Sequence, residues 1–169
     1  MRHMWMIALG AILALAGCAG RQQEDQLTVN RRAWDCMTRA MYFESNRSSR
    51  DGMVAVGTVV MNRVASDDFP DTVCEVVAQH NQFAPGVMSS PMTSRALPMV
   101  QEAAMAVLRG ERHPMIEAAR FFHAATYRAG YDNMHYVATA GGNAFYERRR
   151  PELVTNPSPL PQTEGLTGG

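Results

Sequence analysis

Between Cys36 and Val64 the chain places an acid at the end of one apolar stripe and follows it with a segment apolar on nearly every side. Trp34, Met37, Met41 and Glu44 fall at i, i+3, i+7 and i+10, which is one face of a helix. Three of these are apolar and the fourth is a carboxylic acid. A Glu that continues an apolar stripe points to the core or into a cleft, where desolvation disfavours its charged form. The breaker run from Asn46 to Gly52 follows at once, so Glu44 falls near a helix end beside a turn. A second helix is expected from about Gly52 to Ala65. Met53, Val56, Val60 and Val64 mark one face, and Val54, Ala55, Val59 and Met61 leave little polar surface elsewhere. Such a helix is buried. Gly57 in its middle would cost about 1 kcal/mol against Ala in an exposed helix. Close approach by a second helix explains why it is there.

The 169 residues are enough for one domain with a single core. Residues 1–17 are expected to stand apart from it. Arg2 and His3 form a basic start, Met4 to Leu15 is apolar but too short to span a bilayer, and Leu15-Ala16-Gly17-Cys18 closes the segment. That ending resembles the lipobox of bacterial lipoproteins. The resemblance implies cleavage before Cys18, lipidation of its thiol and, with Ala19 next, sorting to the outer membrane facing the periplasm. Residues 18–29 would then be a short polar tether. Cys36 and Cys74 remain, in an oxidising compartment where disulfides persist. They form either a bridge around the turn that carries the acid or two buried free thiols. The formal net charge is +0, which gives no electrostatic footprint for nucleic acid.

The folded domain is expected over 30–150, starting at a cap on Asn30. Asp71 or Thr72 can cap a short helix from Val73 to Gln79, and another helix is expected from Leu97 to about Arg109. His80 to Thr93 lies between them and has the composition of a binding loop, with Gln82-Phe83 as an amide and ring suited to sugars. Ala119 to His123 and Ala144 to Arg148 look like short aromatic strands, Val137 to Thr139 a third, and Gly141-Gly142 a turn. The fold class is α+β, predominantly helical, with a small antiparallel β-sheet. Residues 151–169 are rich in Pro and Gly without apolar periodicity, and are expected to be a disordered tail.

His80, His113, His123 and His135 are scattered without metal-ligand spacing, no Gly-rich phosphate loop occurs, and Ser48 and Ser49 read as helix caps. No metal or other cofactor is expected. By elimination the acid in the apolar stripe, Glu44, is the best catalytic candidate.

Tyr42-Phe43-Glu44-Ser45, Gly52 to Val56 and Val60 to Val64 come in an order that resembles the SleB-type cell wall hydrolases. Phe69-Pro70, Val73-Cys74, Gln82-Phe83 and Gly141 to Tyr146 continue the order, so that the resemblance spans roughly residues 33–148. It implies a lysozyme-like single domain that cleaves peptidoglycan glycan strands between N-acetylmuramic acid and N-acetylglucosamine, with Glu44 as the catalytic acid. By position it makes Tyr42, Asn62, Gln82, Phe83 and Tyr146 candidates for holding the sugars, though Asn62-Arg63 can instead anchor the loop after the central helix. Two departures stand out: Arg47-Ser48 where the family commonly has Gly-Glu, and Asn143 where it often has His. With one carboxyl, a lytic transglycosylase is favoured over a hydrolytic muramidase, since most glycosidases use two. The alternative is a lipoprotein that only binds glycan and acts as a scaffold for other wall enzymes. Glycan strands and, through the lipid, a membrane are the expected partners.

Overall fold

Two helices cross at a glycine in the centre of the fold. The first, α1, runs over residues 31–44, and the second, α2, is Arg50–Val64. A Cβ added at Gly57 would stand 2.3 Å from the Met41 methyl group and 3.1 and 3.2 Å from the two Val107 methyls. The close approach read from the sequence is therefore made, by α1 on one side and by α4, Leu97–Leu108, on the other. Met37, Ala40 and Met41 of α1 are fully buried, as are Met53 to Val56, Val59 and Val60 of α2. Trp34 keeps its ring half-buried against this core and donates its indole N–H to the Gln101 carbonyl of α4 at 2.9 Å. Ser49 caps α2, its Oγ accepting the Gly52 N–H at 2.9 Å. α3, Val73–Val77, is capped by Thr72. Cys36 and Cys74 are joined in a disulfide that ties α1 to α3 across 38 residues. A loop of that length is worth about 4 kcal/mol by chain entropy.

The structure is a computed structural model and describes residues 31–168 apart from 46 and 48. The expected signal peptide, Cys18, the expected tether and Asn30 cap, and Ser48 lie outside the described residues. From Ala33 onward the chain forms one compact unit. After α4 comes a three-stranded antiparallel sheet ordered β1–β3–β2, with β1 at Phe121–Ala124, β2 at Met134–Ala140 and β3 at Asn143–Arg148. Phe121 and Tyr136 both lie opposite Tyr146. β2 begins three residues before the expected Val137, because Met134, His135 and Tyr136 are buried and pair with β3. Gly141 turns β2 into β3 at φ +55, and its Cα is so near Gly52 that a Cβ on either would come within 2.5 Å of the other's Cα. The sheet thus docks on the first turn of α2.

The tail departs from its expected disorder. Pro151–Leu153 form a 3-10 turn, Asn156 accepts the Tyr136 N–H at 2.9 Å, and the Thr163 N–H reaches Thr139 at 2.9 Å. Glu164 then accepts the Gly141 N–H at 2.9 Å and the Ser49 hydroxyl at 2.5 Å. The buried Asp51 carboxylate accepts the Leu166 N–H at 2.8 Å, the Thr167 N–H at 2.9 Å and the Thr167 hydroxyl at 2.5 Å. Periodicity in the tail carried no signal of this, because its attachment is through backbone and polar groups. Burial pushes the Asp51 carboxyl up, but these hydrogen bonds and the His113 imidazole outweigh it, and the pKa is lowered.

Removing residues 162–169 should therefore lower the melting temperature. Loss of the charge-assisted bonds to Asp51 is worth about 2 to 4 kcal/mol, roughly 5 to 15 °C. Since Asp51 titrates lower in the fold than in the unfolded chain, this stability is present above the unfolded value of about 3.9 and is lost as pH falls below it. Thermal melts of the two chains should therefore converge in acid. Equal melting temperatures at pH 7 would contradict the attachment.

Candidate active site

Glu44 is the last residue of α1, and its position there follows from the stripe that buries Met37 and Met41. Its side chain is half-buried. Oε1 accepts a hydrogen bond from the Ala84 N–H, in the loop that begins at His80. Its carbonyl oxygen accepts the Asn143 amide at 2.5 Å, which fixes the helix end from β3. Asn143 thus has a role in the site that is structural: it holds the backbone of the acid. Arg47 also closes the helix, donating to the Tyr42 carbonyl at 3.2 Å with its guanidinium 4.9 Å from the Tyr42 ring. Arg47, at the place of the family's Gly, thus puts a cation on one of α1's C-terminal carbonyls, while Ser48, at the place of its Glu, lies outside the described residues.

Burial raises the Glu44 pKa, and the Ala84 N–H and the positive charge of Arg63 only partly offset it. Arg63 was not expected in the site. It projects from α2, is 3% exposed, and donates through Nε to the Arg120 carbonyl at 2.8 Å. Its guanidinium lies 5.1, 5.4 and 5.9 Å from the ring centroids of Phe69, Phe83 and Phe121. Burial pushes it down to about 10, against the pull of Tyr146 and Glu44, and its Nη1 has no hydrogen-bond partner. A signal existed in the sequence: Val56, Val60 and Arg63 share a face, so the cation ends an apolar stripe of α2 much as Glu44 ends that of α1.

The residues expected to hold sugar separate into two groups. Tyr42 is 5% exposed, and its hydroxyl accepts the Thr93 and Ser94 N–H groups at 3.0 and 2.8 Å. Phe83 is buried, packing at 6.4 Å on Phe122. Asn62 donates its amide to the Glu117 and Ala119 carbonyls at 2.8 and 2.9 Å, so it anchors the approach to β1. These three build the walls and loops around the acid. Gln82 is exposed and lines a groove with Phe69, Phe121 and Arg148. Tyr146 is buried and stacks on Phe121 at 5.6 Å, with its pKa raised by burial. Gln82 remains placed for a ligand.

The profile of the cell wall hydrolase family matches residues 47–146. The chain belongs to this family and is a peptidoglycan-cleaving enzyme. Its fold is that of the catalytic domain of the germination-specific lytic transglycosylase SleB from Bacillus anthracis, with a TM-score of 0.56 and 24% identity over 68% of this chain and 93% of that one. The catalytic domain of the Bacillus cereus SleB protein gives 0.57 and 23% identity, over 69% of this chain and 91% of that one. A comparison with curated proteins gave no match.

Proposed function

We propose that the chain cleaves glycan strands between N-acetylmuramic acid and N-acetylglucosamine as a lytic transglycosylase, with Glu44 as general acid and then general base. The observation that carries this is the half-buried Glu44 carboxyl, held through one oxygen by the Ala84 N–H and kept protonated to a higher pH than a free carboxyl. Protonated Glu44 donates to the leaving glycosidic oxygen as the bond to C1 breaks. The carboxylate so formed takes the proton of the muramic acid's own 6-hydroxyl as that oxygen bonds to C1. The strand ends in a 1,6-anhydro sugar, no water is consumed, and Glu44 regains its proton. Arg63, whose charge acts on Glu44, stabilises the carboxylate at the midpoint of the cycle.

Other acids have other tasks, which supports a mechanism with one carboxyl. Asp51 holds the tail, Asp68 pairs with Arg120 at 2.8 Å, and Glu75 accepts the Thr72 hydroxyl at 2.6 Å. Asp67 lines a neighbouring groove with Asn62 and Ser66, which meets the groove of Gln82 at Asp68 and Arg120. The relatives in Bacillus that share the fold include one named as a lytic transglycosylase.

Glu44→Gln keeps the volume but has no carboxylic proton. It should slow sacculus digestion by at least about a hundredfold, the lower range for acid–base catalysis, while sacculus binding and the melting temperature persist. In the wild type the rate should fall on the alkaline side as Glu44 ionises, above the ordinary carboxylate range. Digestion by Glu44→Gln at the wild-type rate would rule the assignment out.

On the same reading the enzyme is an outer membrane lipoprotein held in the periplasm by Cys18, close to the polymer it cuts. The lipobox ending Leu15-Ala16-Gly17-Cys18 and the disulfide Cys36–Cys74, which needs an oxidising compartment, support it. Cys18→Ser should move the protein from the membrane fraction to the soluble periplasmic fraction. Unchanged fractionation would remove the anchor.

A further inference from the structure

The run Arg148-Arg149-Arg150 divides in the fold. Arg149 pairs with Glu147 at 2.8 Å and Arg150 with Glu152 at 3.5 Å. Arg148 has no carboxylate within ion-pair distance among the described residues. Its guanidinium lies 4.3 Å from the Phe121 ring centroid, and stacking on that ring limits where the fork can point before any ligand arrives. It lines a groove of about 630 Å³ with Phe69, Gln79, Gln82 and Phe121. Asp68 and Arg120 also face this groove, but they neutralise each other at 2.8 Å, which leaves the Arg148 charge uncompensated. Gln79 adds a second unmet demand: its Oε1 is buried without a hydrogen-bond partner. The terminal torsion of a Gln amide is broad, so an N–H donor entering the groove can be met by a small turn. Gln82 is two residues before Ala84, whose N–H holds Glu44, so one loop serves both the groove and the acid.

A carboxylate for a fixed guanidinium, an N–H for an orphan acceptor and an apolar floor describe a peptide with an acidic group. N-acetyl sugars offer the amide but no charge. We propose that this groove is a subsite for the stem peptide that the glycan carries, with Arg148 pairing to a stem-peptide carboxylate as a specificity-determining residue. The proposal rests on the reading that Glu44 cuts the glycan, and it places the peptide on the β1–β3 side of the cut. The muramic acid's own lactyl carboxylate has the same chemistry, but it is free only where the peptide has been removed.

The test compares intact sacculi with sacculi stripped of peptides by an amidase. Wild type should cleave the peptide-bearing polymer with about tenfold or greater kcat/KM over the stripped one, chiefly through KM. Arg148→Gln should lose that preference, Arg148→Lys should restore part of it, and Arg149→Gln, which alters only the Glu147 pair, should keep it. The tenfold floor, about 1.4 kcal/mol, is within what one charge-assisted hydrogen bond supplies. Co-sedimentation of Glu44→Gln and the double variant Glu44→Gln/Arg148→Gln with both polymers tests the groove without cleavage. Failure of the Glu44 assignment would leave this binding preference intact. A wild type indifferent to peptide, or a preference that survives Arg148→Gln, would overturn the proposal. A preference for stripped glycan would overturn it too, and would assign Arg148 to the lactyl carboxylate.

Discussion

The contact of the Met41 methyl with Gly57 is the constraint on which the remaining geometry depends. It sets how near α1 lies to α2, and Glu44 stands one helical turn beyond Met41 on the same face. A side chain at position 57 would displace the Met41 methyl and press on the two Val107 methyls, loosening the packing of α1 and α4 on α2. The disulfide holds the other side of this packing, since Cys36 lies five residues before Met41 and joins α3 just ahead of the loop that supplies Ala84. A second glycine contact, Gly52 on Gly141, brings the sheet to the start of α2 and places Asn143 on the end of α1. One acid is thus positioned from a helix, a loop and a strand.

Its surroundings act on its charge in opposite directions. Burial favours the protonated form, while the Ala84 N–H and Arg63 favour the carboxylate, and burial prevails. On the proposed mechanism Glu44 gives a proton and then takes one back, which needs both forms within reach near neutral pH. Arg63 supplies the second half of that balance from a site where its own charge is strained: it is buried among three rings with Nη1 unpaired, and its pKa is pushed down to about 10. Such a cation is expensive to bury, which argues for a role beyond packing.

Elements with an apolar period were legible in the sequence. The stripes of α1 and α2, the helix from Leu97, the strands around Phe121 and Phe145, and the burial forced by Gly57 all follow from spacing and side-chain size. Polar attachments were not. The tail is held by Asp51, Glu164, Ser49 and backbone groups, none of which leaves a periodic trace, so a Pro- and Gly-rich segment read as disordered. Within the site, residue type identified neighbours of the acid but not their tasks. Tyr42 and Asn62 are side chains that can bind sugar, yet their polar atoms hold the main chain of the molecule itself. Arg63 was the reverse, a motif residue whose charge matters because three distant rings enclose it.

The central claim is that one carboxyl completes the cycle without water, and the products of digestion carry the record of it. Sacculi digested by the wild type in water enriched in oxygen-18 should release fragments whose muramic acid ends are one water lighter than reducing ends. Those ends should contain no heavy oxygen. Reducing ends that carry oxygen-18 would contradict the account, because a water held opposite the bond would then be the nucleophile and a second base would have to activate it.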